Sequence, residues 1–341
     1  MSLYYNAWKE VEEKNYFLNF FLSGRGTGKS YSILHGLVKK AIEENKLFIY
    51  LRRTDKELIK STSSQLNEFQ SISDDFEINI ECNKSDDMTL IQVIEDDTLK
   101  TIGVAGTLST FANMRGLSFR DFDYLFYDEF ISKNKVQTIV DKNAGMLFKD
   151  LTETILRNRQ IDEEGNILEN SFKIILCGNS NNLNNDILET WKLIDIFRQM
   201  QINNIDDYYI EERSIALHLP HNVGISQLKK QTALYKSLPE DDEYIQMSIN
   251  NKFIGDDFSF IKHYEQKHLV PIFSIEHKIF IYSIKGTKMI YVSDRKNKDS
   301  INYDKLSTLK KDYGMMLNFW FSKKMIRYQN YSIKVRFNNL F

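Results

Sequence analysis

Apolar residues along the first 180 positions fall into two alternating kinds of run. Short, nearly continuous ones occupy residues 16–22 (YFLNFFL), 47–51 (LFIYL), 122–127 (FDYLFY) and 172–177 (FKIILC). Their lengths suit strands buried on both faces. Between them lie segments with helical spacing. In 30–44, Ile33, Leu34, Leu37, Val38, Ala41 and Ile42 share one face, and 147–159 reads as a second helix. Residues 89–94 and 101–105 read as strands near a turn at 95–97. Such alternation predicts a parallel α/β sheet covered on both sides.

The pattern changes after residue 219. All three prolines, Pro220, Pro239 and Pro271, lie in one stretch, which reads as a connection between two domains. Beyond it, 272–273, 279–284 and 288–292 read as successive strands, with a turn at 285–287. Helices at about 303–311 and 317–328 and a last strand at 331–337 complete a small α/β domain. The expected division is 1–205, a linker or lid at 206–265, and 266–341.

Composition alters this picture little. Hydrophobic residues make up 42% and charged residues 27% of 341 positions, the profile of a globular protein. No run is long and apolar enough to span a membrane, and the N-terminus does not read as a secretory signal. Two cysteines, Cys82 and Cys177, suggest a reducing cytoplasmic setting and read as small buried hydrophobes. Charge is more informative. Residues 271–341 carry 14 Lys/Arg against 5 Asp/Glu, a net of +9, whereas the rest of the chain carries −11. A basic block on an acidic body suits a polyanion partner, although a solvated basic face has the same composition.

Residues 23–30, Ser-Gly-Arg-Gly-Thr-Gly-Lys-Ser, join an apolar strand to a helix, the arrangement of a phosphate-binding loop. Ser23, Gly24, Arg25, Gly26, Thr27, Gly28, Lys29 and Ser30 are the candidate ATP-binding residues. Ser23 stands where the usual first glycine would be. Glycines allow the backbone amides to approach phosphates closely, Lys29 reaches the β- and γ-phosphates, and Ser30 is a ligand for Mg²⁺. Asp128 and Glu129 end an apolar strand about a hundred residues later. Asp128 is the second candidate metal ligand and Glu129 the candidate general base. Asn179 ends another strand and could bond the γ-phosphate or the attacking water, or simply make a Gly-Asn turn. Arg157 and Arg159 fit either a helix-capping role or an arginine finger acting across a subunit interface.

Taken together, residues 19–30, 48–53, 125–131, 154–159, 174–179 and 250–256 resemble the DNA-packaging ATPases, or encapsidation proteins, of phi-29-type phages, short relatives of large terminase subunits. Arg25 in the loop is also typical of packaging motors. The resemblance implies a P-loop NTPase domain of the additional-strand, terminase-like kind. It also implies a ribonuclease-H-like C-terminal domain that has lost its metal site. It further implies a homomeric ring, commonly pentameric, that docks on the portal of a viral procapsid in the host cytoplasm and drives double-stranded DNA inward with ATP. In some members a structural RNA takes part. Arg157 is then the first choice for the finger, and Arg52, Arg53 and Lys56 lie near nucleotide or subunit contacts. The basic C-terminal residues would hold phosphates without reading bases. Two other functions fit the residues: a terminase with an active C-terminal nuclease, and a nucleotide-gated nucleic-acid scaffold with negligible hydrolysis. Against the nuclease, the strand at 279–284 carries no carboxylate, and Asp294, Asp299, Asp304 and Asp312 have basic neighbours. The paired acids Asp128 and Glu129 argue against a scaffold, since a switch needs no base.

Overall fold

The computed structural model describes residues 3–63, 67–95, 98–113, 119, 121–132, 143–157, 161, 164–168, 171–180, 182–221, 223–240, 242–253 and 259–341. The chain divides into two compact units, Met1–Trp191 with Phe197–Gly255, and Lys192–Ile196 with Asp256–Phe341.

The first unit is built on a nine-stranded sheet. Its strands are β1 (Leu18–Ser23), β2 (Leu47–Arg52), β3 (Ile80–Ser85), β4 (Met88–Glu95), β5 (Thr98–Thr107), β6 (Phe122–Asp128), β7 (Lys173–Asn179), β8 (Asp207–Ile210) and β9 (Ile215–His218). The spatial order is β3-β4-β5-β2-β6-β7-β1-β9-β8. The middle six, from β5 to β9, run parallel. Antiparallel strands close both edges. The strands β1, β2, β6 and β7 are buried almost throughout, as their continuous apolar runs require. Helix Lys29–Glu44 lays Ile33, Leu34, Leu37, Val38 and Ala41 into a core that also holds Phe21, Phe48, Tyr50 and Phe126.

One feature of this order decides where chemistry can occur. Strand β7 is inserted between β1 and β6, so three strand ends stand side by side. Ser23 pairs with Asn179, and Asp128 pairs with Cys177. Parallel sheets bind ligands beyond the carboxyl ends of their strands. Here those ends carry the phosphate loop, Asn179, Asp128 and, on β2, Arg52.

Several segments differ from the sequence reading. Residues 207–218, expected at the start of a linker, form β8 and β9, and β9 pairs with β1 itself. Residues 68–85, to which no element was assigned from sequence, contain helix Glu68–Phe76 and β3. Residues 224–248 form three short helices, Gly224–Lys229, Ala233–Lys236 and Glu243–Ser248, within the first unit.

The second unit has a five-stranded sheet of β10 (Leu269–Ile275), β11 (Ile279–Ile284), β12 (Ile290–Ser293), β13 (Ile301–Tyr303) and β14 (Ile326–Tyr328), in the order β13-β10-β11-β12-β14. An antiparallel meander, β10 to β12, is joined by β13 parallel to β10, as in a ribonuclease-H-type sheet, and β14 extends the other edge. The two expected helices at 303–311 and 317–328 are one helix, Leu306–Ser322, followed by β14. Gly314 lowers helix propensity by about 1 kcal/mol relative to alanine, too little to break a helix packed through Leu309, Leu317 and Trp320. The expected strand at 331–337 is a helix, Tyr331–Asn338, capped by Asn330, whose side chain accepts from the Ile333 amide. Its buried residues do alternate, at Tyr331, Ile333, Val335 and Phe337. On a helix, steps of two turn by about 200°, so these residues form two opposite apolar stripes, and the helix is covered on two sides.

Candidate functional site

The phosphate loop leaves β1 and enters helix Lys29–Glu44, whose sixteen residues direct their free first amides at the loop. Gly26 and Gly28 hold φ of +60° and +100°, conformations that a side chain would strain. At position 28 an added Cβ would also stand 2.9 Å from Tyr4 Cβ. Ser23 is fully integrated. Its buried hydroxyl lies 2.7 Å from that of Thr27, whose hydroxyl also donates to the Gly24 carbonyl at 3.3 Å. A serine in the first position therefore closes the loop with a side-chain bond.

The loop lines an open cleft of about 570 Å³ together with Tyr4, Tyr31, Leu34, Glu68, Ser71, Asp128, Glu129 and Asn179. Lys29 is buried, and its Nζ donates to Asn179 Oδ1 at 3.1 Å and to the Gly24 carbonyl at 3.5 Å. Burial pushes its ionisation below the ordinary lysine range, against the pull of Asp128 and Glu129. Ser30 Oγ donates to Asp128 Oδ1 at 2.8 Å. A hydroxyl and a carboxylate in contact, beside a place for phosphates, suit Mg²⁺, which takes few protein oxygens and keeps phosphate and water ligands. The loop's open amides, Lys29 and this oxygen pair fit a magnesium–nucleotide complex.

Arg52, at the end of β2, organises the acids. Its guanidinium is buried and bonds Asp128 Oδ2, lies 3.4 Å from Glu129 Oε2 and from Glu68 Oε1, and donates to Tyr50 Oη at 3.2 Å. Tyr50 in turn donates to Glu68 Oε2 at 2.5 Å. Burial works against the charge on Arg52, yet Tyr50 and the three carboxylates together raise its pKa above the usual arginine value. Burial, reinforced by Asp128, also raises Glu68, above the ordinary carboxylate range, and so disfavours its charge. Glu129 has φ +51°, a left-handed conformation that costs a residue with a side chain roughly 1–2 kcal/mol. Strain of this sort concentrates where a side chain has to be aimed.

The residues singled out in the sequence divide into three groups. Residues 25–30, Asp128, Glu129 and Asn179 line one cleft, with Ser23 and Gly24 bonded beneath it. Arg157 follows helix Ala144–Leu156, is exposed, and does not line the cleft. Arg159 lies outside the described residues. Lys56 is exposed, while Arg53 bonds Glu57 at 3.0 Å in the next turn of chain. Sequence reasoning did not find Glu68, Tyr50 or Tyr4. Nothing local marks them: Tyr4 and Glu68 reach the cleft from separate elements, and Tyr50 is buried behind it, bonded to Glu68 and Arg52. In the second unit, Asp304 accepts from Asn302 and Asp312 from the Tyr303 hydroxyl, so both carboxylates bond neighbouring side chains.

A family model for the Podovirus DNA encapsidation protein (Gp16) matches residues 1–340. The DNA packaging protein of Bacillus phage PZA is 25% identical over 319 residues, covering 93% of this chain and 86% of that protein. The DNA packaging protein of Bacillus phage phi29 is similar to the same extent. Among solved structures, the bacteriophage Phi-29 viral genome packaging motor assembly contains a chain with a TM-score of 0.69 at 20% identity, covering 99% of this chain and 98% of that one. The Phi-28 gp11 DNA packaging motor gives 0.59 at 15% identity, covering 96% and 95%. At these identities the structural likeness speaks to the fold.

Proposed function

As this chain belongs to the Podovirus DNA encapsidation protein (Gp16) family, we propose that it is an ATP-driven motor that moves double-stranded DNA into a preformed capsid. ATP is hydrolysed at the subunit interfaces of a homomeric ring, a pentamer in the family's usual form, docked on the portal of the procapsid in the host cytoplasm. The observation that carries the ATPase reading is the contact between Ser30 Oγ and Asp128 Oδ1 at the mouth of a phosphate loop.

In this reading the loop amides and Lys29 bind the β- and γ-phosphates, and Asn179 releases Lys29 to the incoming anion. Ser30 and Asp128 would hold a magnesium ion, which would supply neutralisation of charge on the phosphate oxygens. Glu129 accepts a proton from the attacking water as its oxygen approaches the γ-phosphorus. Asn179, between the loop and the acid strand, is placed to bond the γ-phosphate or that water. Arg157, exposed and outside the cleft, is offered to a neighbouring subunit as the finger that stabilises transition-state charge, with Arg159 as the other candidate. The net charge of +9 over residues 271–341 supports a nucleic-acid contact there, to DNA or to a structural RNA of the assembly. The bonds that occupy Asp304 and Asp312 favour this over an active nuclease.

The test is ATPase activity on assembled procapsids. Glu129→Gln and Arg157→Ala proteins should bind ATP and assemble yet hydrolyse poorly. Full activity of either variant in the assembled motor would overturn the role given to that residue.

A further inference from the structure

Helix Gly224–Lys229 follows the last strand of the first sheet, and its final residue reaches back to the phosphate loop. Lys229 Nζ donates to the Arg25 carbonyl, and a methyl group placed on Gly26 would lie 3.2 Å from the same nitrogen. The neighbouring segment presses on the loop as well. A Cβ on Gly24 would meet the Ser248 carbonyl oxygen at 2.5 Å, so this position tolerates only glycine while 247–248 lie against it.

The setting of Lys229 is unfavourable for an ammonium by itself. The side chain is half buried, and burial together with Lys29 pushes its ionisation down. Among the described residues it has no ion pair within 4.0 Å. Lys29 is bonded to an amide and a carbonyl, not to a carboxylate. Arg25, Lys29 and Lys229 thus bring three positive charges to the loop at 23–30. Asp128 and Glu129 offset only part of this charge, through Lys29, and holding like charges together costs free energy that is relieved when an anion of several charges enters.

We infer that Lys229 is a second cation for the polyphosphate tail of the nucleotide, supplied by the segment after the sheet, and that it makes the site discriminate by the number of phosphates. This inference rests on the reading of residues 23–30 as a nucleotide site. Its ligand is a nucleoside triphosphate before a diphosphate, and a diphosphate before a monophosphate.

Calorimetric titration of the full-length protein with ATP, ADP and AMP tests it, using wild type, Lys229→Gln, Lys229→Arg and Lys29→Ala. Loss of one charge-assisted bond predicts that Lys229→Gln weakens ATP binding about tenfold, ADP binding less, and AMP binding not at all. Lys229→Arg keeps the charge and should bind ATP within about twofold of wild type. The inference is overturned if Lys229→Gln binds ATP as wild type does, or loses the same factor for all three nucleotides. It is also overturned if Lys229→Arg behaves like Lys229→Gln. The Lys29→Ala protein separates the two levels. If it still binds ATP normally, the nucleotide site itself is wrong; if it fails to bind while Lys229→Gln does not change, only the role of Lys229 is.

Discussion

Replacing Arg52 by methionine asks how much of the site's order is electrostatic. The guanidinium is 7% exposed and the carboxylate of Asp128 4% exposed, and Glu129 and Glu68 are each 3.4 Å from the same side chain. Methionine keeps most of the volume but leaves three carboxylates converging on an apolar stub. Removing one partner of a buried pair costs roughly 3–5 kcal/mol, because the remaining charge has lost its compensation. For a unit of this size each kcal/mol moves the midpoint by about 2–4 °C, so thermal unfolding at pH 7.5 should fall by roughly 6–20 °C. The loss should also depend on pH in a defined sense. Burial holds Glu68 above the ordinary carboxylate range even beside Arg52, and loss of the guanidinium raises it further. Its contribution to stability is then greatest below the unfolded carboxylate range and is lost as pH rises through the raised folded value. Circular-dichroism melts at pH 5 and pH 7.5 should therefore bring variant and wild type closer together at the lower pH. Adding Glu68→Gln to the variant should recover part of the loss at pH 7.5, since one of the three converging negative charges is then gone. A melting point within about 2 °C of wild type at both values would refute the account, since an uncompensated Asp128 could not cost so little.

Glu129→Gln should lower turnover on assembled particles about 10²- to 10⁴-fold while leaving ATP affinity within a few-fold, the signature of a lost base, read by phosphate release beside nucleotide binding. Arg157→Ala should reduce turnover only in the assembled ring, so equal loss in isolated subunits would count against a role across the interface. Gly28→Ala places a side chain at φ +100° and against Tyr4, and should abolish detectable ATP binding with a stability loss of about 1–3 kcal/mol in urea unfolding. Because burial lowers the pKa of Lys29 and bound phosphates favour its charged form, ATP binding should take up protons and weaken as pH rises through that lowered value. Titration calorimetry in buffers of different ionisation enthalpy measures that uptake directly.

What could be read from sequence was whatever lies close together along the chain. The strand, loop and helix of residues 16–44 are contiguous, and their chemistry and periodicity point the same way. Asp128 and Glu129 were legible because an unbroken apolar run ends on them. The link from Arg52 to Asp128 crosses 76 positions and depends on β2 and β6 being neighbours, which no local pattern states. Glu68 was hidden for the same reason, in a segment to which no element was assigned from sequence. The helix at Tyr331–Asn338 was misread because two opposite apolar stripes on a helix imitate the alternation of a strand. Strands β8 and β9 are only four residues each, too short to show a period before the prolines that follow.

The inserted strand β7 acts as a ruler. Neighbouring strands stand about 4.8 Å apart, so one strand between β1 and β6 separates the root of the loop from the acid strand by roughly 10 Å. That gap keeps the ammonium of Lys29 out of the grasp of Asp128 and gives it to Asn179, a neutral partner at the ruler's tip, 3.1 Å away. A neutral partner is surrendered to a phosphate far more readily than a carboxylate would be. The spacing of the backbone thus fixes the width of the chamber and, with it, how lightly its principal cation is held before the ligand arrives.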